Sequence, residues 1–369
     1  MLSYWEKESL LSYDCIVIGS GIVGLSAAIS LKEKSPRRRI AVLERGLLPV
    51  GASTRNAGFA CIGSLTEILD DLEHMPADAV VQLVNLRRKG LQLLRSRIGD
   101  DRMDYRENGS YELISDTETP ALARLDEVNE LLGGILPGPA FSIADGKLPG
   151  MGIVAKHLVQ NNFEGELNTG KMMRTLIDLA IERGIEIKTG CEVKGMDESP
   201  GSVTVHLQGG LSLTADYVAV CTNAFTPALV SGLDISPGRG QVLVTAPVKG
   251  LPFKGIYHFD KGYYYFRELQ GRVLFGGGRN LDFEGETTTE LELNARIQAD
   301  LEEKLRTIIL PGRDVTVEHR WSGIMAFGGT KQPVIRAHSD RIFLAVRMGG
   351  MGIAIGSEAG RMLAGLVPA

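Results

Sequence analysis

An α/β fold built from two interleaved parts is predicted by three features of the 369-residue chain. The N-terminal stretch YDCIVIGSGIVGLSAAISLKEK, followed by IAVLERG, runs from an apolar segment through a glycine turn and a small-residue helix to a second apolar segment. That order is a β-α-β unit. Residues 238–282 are dense in strand-forming segments: GQVLVTAPV, GIYHF, GYYYFREL and GRVLFGG. Helix and strand patterns of the first kind return between these regions. GKMMRTLIDLAIERGIEIKTGCEV (170–193) reads as a helix broken at Gly184 and then a strand, and VTVHLQGGLSLTADYVAVCTNAF (203–225) as a hairpin leading into a buried strand.

The simplest arrangement is a discontinuous Rossmann-like domain of residues 1–85, 151–230 and 320–369. A second, α+β domain with an antiparallel sheet would then comprise 86–150 and 231–319. Residues 86–150 read as helical and loop-like, broken at LPGPAF and KLPGMG, and 288–310 as one amphipathic helix. With 44% hydrophobic and 23% charged residues the chain can fill a sizeable core and is not of the disordered class. A net charge of −5 gives no reason to expect a nucleic-acid partner, and PRRR at 36–39 reads as a solvated loop. The four cysteines form no CxxC pair, and the six histidines form no HxxxH or HxH cluster, so no metal site is expected. The start lacks the basic and apolar regions of a signal peptide, and no apolar run approaches about 18 residues. A cytoplasmic protein without a transmembrane segment is the expectation.

The glycine turn carries the first chemical signal. Gly19, Gly21 and Gly24 form GxGxxG: the first permits the tight turn, the second lets backbone approach a pyrophosphate, and the third lets helix pack on strand. The helix start offers free N–H groups to phosphate charge. Glu44 ends the second strand twenty positions after Gly24, where its carboxylate can accept both hydroxyl protons of a ribose. This combination predicts a dinucleotide and does not separate FAD from NAD. GASTRNAGFA (51–60) follows closely, a small-residue and hydroxyl-rich loop suited to line a cofactor, with Arg55 near an anion.

GSGIVG with Glu44 and Arg45, GASTRNAG, ADYVAVCTNAFTP, GRGQVLV, RVLFGGGR, WSGIMAFGGTKQPVI and MGGMGIAIGSEAGRMLA occur in a characteristic order. In that order and spacing the chain resembles the D-amino-acid oxidase and glycine oxidase family of FAD-dependent amine oxidoreductases, which includes sarcosine and γ-glutamylputrescine oxidases. The resemblance extends from about residue 13 to 366. It implies that Gly19, Ser20, Gly21, Val23 and Gly24 hold the FAD pyrophosphate, with Glu44 on the ribose and Arg45 beside the adenine. It further implies that Ser53, Thr54, Arg55, Asn56, Ala57 and Gly58 lie along the pyrophosphate and flavin edge. Val193 would read the adenine through its backbone, and Thr222 and Asn223 would line the nucleotide. Gly323 of WSGI would bind the cofactor, and the segment Gly349, Gly350, Met351, Gly352 and Ile353 would meet the flavin ring. A helix starting near Gly352 would aim N–H donors and a positive dipole end at the charge that develops on a reduced flavin.

The resemblance also implies the reaction: hydride passes from the carbon beside an amine nitrogen to flavin N5, the imine hydrolyses, and electrons leave to O2 or another acceptor. No cysteine lies in the C-terminal region where sarcosine oxidases attach their cofactor, so non-covalent FAD is expected. In GYYYFREL, Tyr263 and Tyr265 share one face. Tyr263 best matches a family tyrosine that holds a substrate carboxylate over the flavin. At one position the chain departs from its relatives. Met325 in WSGIMAF stands where glycine-oxidase-like members carry a carboxylate-clamping arginine, and a thioether cannot make that bidentate pair. Arg279, Arg336 and Arg347 are candidate replacements, Arg279 and Arg347 foremost. Three other readings stay open: a flavin-binding subunit or sensor that oxidises no amine, an FAD dehydrogenase for a 2-hydroxy acid, and an NAD-dependent dehydrogenase.

Overall fold

The computed structural model describes residues 1–368, and its backbone is organised around two large sheets. Ser12–Ile18, buried along almost its whole length, pairs in parallel with Ile40–Leu43 on one side and Ser212–Val220 on the other. Glu186–Lys188 and Ile342–Val346 extend this parallel core, Val334–Ala337 adds an antiparallel edge, and a hairpin of Val193–Ser199 and Ser202–Leu207 hangs from Ser212–Val220. Continuous apolar runs such as CIVI and IAVL are what a parallel strand covered on both faces requires.

Four helices cover one face of this sheet. Ile22–Lys34, Ala77–Ile98, Thr169–Glu182 and Gly352–Leu366 pool their apolar side chains with those of the strands in a single core. Small residues let the helix backbones close up. A Cβ on Gly360 would stand 2.6 Å from the Ala27 nitrogen, and one on Gly90 would stand 2.0 Å from the Ala354 carbonyl oxygen.

The second sheet runs in the order Val317–Phe327, Ser236–Thr245, Arg272–Gly277, Tyr264–Leu269, Ile256–Phe259, Ser110–Ile114, His157–Asn161, Phe141–Ile143. All neighbours are antiparallel except Ile256–Phe259 beside Ser110–Ile114, which come from distant chain segments and run parallel. One face is an aromatic core around Tyr257, Phe259, Tyr264, Phe266 and Phe275, closed by the helix Ala295–Lys304. The other face looks towards the first sheet.

Several local expectations change. His157–Asn161 and Val317–Phe327, the first wholly and the second from residue 320 onward placed by sequence with the Rossmann-like part, bond to strands of the second sheet. Ala77–Ile98 runs across the boundary expected at 85 and packs on the Rossmann-like helices, because its apolar stripe meets Ile22–Lys34 and the C-terminal helix. The helix expected over 288–310 begins only at Ala295, where the Asn294 side chain accepts from the N–H groups of Arg296 and Ile297, and it ends in a π turn over Leu305–Ile309. In the basic run, Arg38 is buried rather than solvated: its guanidinium donates to the Pro368 carbonyl at 2.7 Å. All four cysteines are free thiols, and no helix among the described residues is long and apolar enough to cross a membrane.

Candidate functional site

A cavity of about 900 Å³ lies between the two sheets. At one end it is bordered by the glycine turn and Glu44. The Gly24 Cα sits so close to the turn that a Cβ there would stand 1.9 Å from the Gly19 carbonyl oxygen. That contact presses the helix Ile22–Lys34 onto the strand before it. Ser53 Oγ accepts from the Ile22 N–H at 3.0 Å, and Leu25 is the first residue to bond back along the helix, to the Gly21 carbonyl. The N–H groups of Val23 and Gly24 are left for another acceptor. Glu44 is held by Ser20 Oγ at 2.6 Å and by the Gly46 N–H at 3.0 Å, which fixes its carboxylate at the cavity wall. Arg45 lies 3.7 Å over the Phe225 ring, with Val193 and Thr222 also on this wall.

Beside the start of Ile22–Lys34 the helix Gly352–Leu366 begins, with Gly356 packed against Ile22. Gly349 and Gly350 take positive φ (57° and 82°), and Ile355 is the first residue whose N–H bonds back, to the Met351 carbonyl. The first-turn N–H groups of Gly352, Ile353 and Ala354 therefore face the cavity that these residues line. Asn223, also on the cavity wall, holds the segment before this helix, its Oδ1 accepting from the N–H groups of Arg347 and Met348.

The loop 51–58 is more structural than its sequence implies. Asn56 Nδ2 donates to the Ala52 and Ser53 carbonyls while its Oδ1 accepts from Gly58 N–H and Thr169 Oγ1, so the side chain staples the loop. Arg55, expected near an anion, spends donors on the Val50 and Ser322 carbonyls, and its own carbonyl accepts from Trp321 Nε1. Ser53, Arg55, Asn56 and Ala57 border the cavity, as do Gly323 and Met325. Thr54 and Gly58 do not. Thr54 Oγ1 turns to the Pro49 and Gly51 carbonyls, and Gly58 (φ 78°) packs against Leu167. Gly24 also stands behind the wall, its role being the close contact just described.

On the second sheet Tyr263 and Tyr265 border the cavity while Tyr264 and Phe266 point into the aromatic core, as their alternation predicts. Tyr263 lies just before the strand, which starts at Tyr264. Tyr265 packs edge-on against Phe59, and Gly276 leaves room for its ring. Arg279 enters the cavity between the rings of Phe327 (4.3 Å) and Phe283 (5.0 Å). Its Nε is buried without a hydrogen-bond partner, and no salt bridge to it occurs among the described residues. Burial holds its pKa below the usual arginine value.

Arg347 is the clear correction. Its guanidinium points away from the cavity into a cage of carbonyls and carboxylate: Nη1 donates to the Asp234 carbonyl (2.9 Å) and Oδ2 (2.8 Å), Nη2 to Thr330 Oγ1 and the Gln332 carbonyl, and Nε to that same carbonyl. It anchors the loop before the glycine cluster and has no donor left for a substrate. Arg336 is exposed on an edge strand, also outside the cavity.

Sequence reasoning missed a group of polar residues bordering the same cavity: Cys61, Glu67, His258, Lys261 and Lys331. Cys61 Sγ and His258 Nε2 are 3.5 Å apart, with a Glu164 oxygen nearby. Alternation in IYHF, which puts His258 opposite the buried Tyr257 and Phe259, was the one available signal.

A Rossmann-like cradle and a second helix start, both with free N–H groups on one cavity, fit a dinucleotide cofactor held by two distant chain segments. The chain belongs to the DAO family of FAD-dependent oxidoreductases, whose family model matches residues 14–366. It is 23% identical over 374 residues to a probable oxidoreductase of Haemophilus influenzae, covering 95% of this chain and 82% of that one. It is 24% identical to the gamma-glutamylputrescine oxidoreductase of Escherichia coli, covering 97% and 84%. Among solved structures, glycine oxidase from Geobacillus kaustophilus superposes with a TM-score of 0.79 at 20% identity, covering 96% of this chain and 94% of that one. L-proline dehydrogenase from P. horikoshii gives 0.78 at 17%, covering 96% and 93%. The protein is therefore an FAD-dependent oxidoreductase with the fold of these enzymes, and the NAD reading falls away.

Proposed function

We propose that the protein oxidises the carbon beside the nitrogen of a small amine or amino acid, and that Arg279 anchors an anionic group of that substrate. The unpaired guanidinium between two aromatic rings, at the end of the cavity facing Tyr263, carries this reading. A half-buried cation without a counter-charge has a vacancy for a carboxylate. The names of its relatives agree in chemistry: a D-amino acid dehydrogenase and a gamma-glutamylputrescine oxidoreductase among the similar sequences, glycine oxidase and L-proline dehydrogenase among the similar folds.

In this reading the Val23 and Gly24 N–H groups and Ser53 serve the FAD pyrophosphate, Glu44 the ribose, and Arg45 with Val193 the adenine. Gly352, Ile353 and Ala354 offer N–H donors at the ring end. Bound FAD supplies the hydride acceptor, with O2 or another acceptor taking the electrons onward. The chain supplies placement: Arg279 and Tyr263 fix the substrate, Tyr265 and Phe59 wall it, and Met325 fills the place of a second cation with an apolar group. FAD is held non-covalently. Burial pushes the Cys61 and Cys221 thiols well up, so the two buried cysteines bordering the cavity stay protonated and are poor nucleophiles.

Anaerobic mixing with glycine, D-alanine, L-proline, γ-glutamylputrescine and lactate tests the reading. At least one of the amines is expected to bleach the visible flavin absorbance. A yellow protein that none of the amines bleaches would overturn it: bleaching by lactate alone would make the hydroxy-acid reading the better one, and bleaching by nothing the non-catalytic one.

A further inference from the structure

Glu112, His258 and Tyr265 are direct cross-strand neighbours in the second sheet, and so share the face turned to the cavity. The residues flanking His258, Tyr257 and Phe259, belong to the aromatic core on the opposite face. Behind His258 lies a separate void of about 10 Å³ bounded by Ser64, Glu112, Asn161 and Glu164, about the space of one water. His258 borders both the cavity and this void. Two buried carboxyls thus sit behind an imidazole that faces the substrate space, an arrangement that packing alone does not explain.

Resting on the amine reading above, we propose that His258 takes the proton that a cationic amine must lose before oxidation, and that Glu112 and Glu164 receive it from the imidazole. In the first step an N–H bond of the substrate ammonium breaks and an N–H bond forms on His258. In the second, that N–H breaks and an O–H forms on a buried carboxylate. The sum turns an ammonium and a buried carboxylate into a neutral amine and a carboxylic acid, which removes two charges from a poorly hydrated space. Only the neutral amine has the nitrogen lone pair needed to assist departure of hydride from the adjacent carbon.

The surroundings suit this role. Glu164 accepts from the N–H groups of Ile62 (2.5 Å) and Gly63 (2.8 Å) and from Ser110 Oγ (2.6 Å), and Glu112 from the Thr66 N–H and hydroxyl. Burial nevertheless raises both carboxyls to about 7, so near neutrality each exchanges a proton readily. Burial lowers His258 to about 4, which leaves the imidazole unprotonated and able to accept. The other titratable groups facing it are the Cys61 thiol, held protonated, the phenol of Tyr265, raised to about 12, and Glu67. Glu67 stays charged through its pair with Arg87 at 3.0 Å and with Lys331 beyond, so it biases the imidazole towards accepting without taking the proton itself.

The test is the pH profile of anaerobic flavin reduction in the holoenzyme, using whichever of glycine, D-alanine, L-proline and γ-glutamylputrescine bleaches the wild type fastest. His258→Asn is expected to lose about tenfold or more at pH 7 and to come within about twofold of wild type above the amine's own pKa, where the substrate arrives neutral. Glu112→Gln and Glu164→Gln, isosteric and less disruptive, should move the acid limb in the same direction by a smaller amount, with FAD content unchanged. Equal fractional loss at every pH, or no loss, would overturn the relay while leaving amine oxidation standing. A wild type bleached by none of these amines would remove both.

Discussion

Gly24→Ala is expected to purify without colour. The added methyl would stand 1.9 Å from the Gly19 carbonyl oxygen and 3.1 Å from its carbon. Both are backbone atoms of a turn that cannot rotate aside, so the helix Ile22–Lys34 must lift from the strand Ser12–Ile18. The lift itself costs about 1–3 kcal/mol as an overpacked core. The larger effect expected is on the cofactor, because the free N–H groups at Val23 and Gly24 move with the helix and leave the position proposed for the phosphates. The ratio of flavin absorbance to protein absorbance after gel filtration measures this. Wild-type FAD content in the variant would mean that the cradle tolerates the shift and that the glycine turn is not the pyrophosphate site.

The second large effect separates two arginines that look equivalent in the sequence. Arg279→Ala should raise KM for an anionic amine substrate about 10- to 100-fold, the equivalent of losing a charge-assisted hydrogen bond worth about 1.5–3 kcal/mol. Melting temperature should change little, since Arg279 has no ion-pair partner to leave unpaired. Arg347→Ala should do the reverse. It strips donors from the Gln332 and Asp234 carbonyls and from the Asp234 carboxylate, and releases the loop ahead of Gly349. A clear fall in melting temperature is expected, with any kinetic loss tracking loss of FAD. Steady-state kinetics beside calorimetry on both variants decides the matter: a KM effect confined to Arg347→Ala would reverse the assignment.

The difference between these arginines shows what could be read from the chain alone. GSGIVG, Glu44 and the glycine cluster before Gly352 are local signals, because a turn, a strand end and a helix start each depend on a few adjacent residues. The Arg347 cage depends on Asp234, 113 positions away, and nothing near Arg347 announces it. Strand membership failed for the same reason. His157–Asn161 and Val317–Phe327 read correctly as segments able to pair, but which sheet they join is decided by the free edges of Ser110–Ile114 and Ser236–Thr245. His258 was overlooked because a lone histidine in an apolar strand usually has a packing role. Its significance comes from Glu112 and Glu164, which only the folded sheet brings beside it. Met325 was legible as a departure from the family, with Arg279 and Arg347 as the foremost candidates to compensate, but choosing between them needed the fold, which leaves Arg279 without a partner on the cavity and encloses Arg347 away from it.

The cavity's two helix starts lie some three hundred residues apart in the chain, at Ile22 and Gly352, and their helices pack against each other through Gly356 and Gly360. A cofactor gripped by both would act as a cross-brace, so that unfolding of either helix would empty the site and an empty site would loosen both helices. Cofactor supply would then govern how long the protein survives as well as how fast it works. Thermal midpoints that climb with added FAD, and protease sensitivity that falls with it, would be the signature of that coupling.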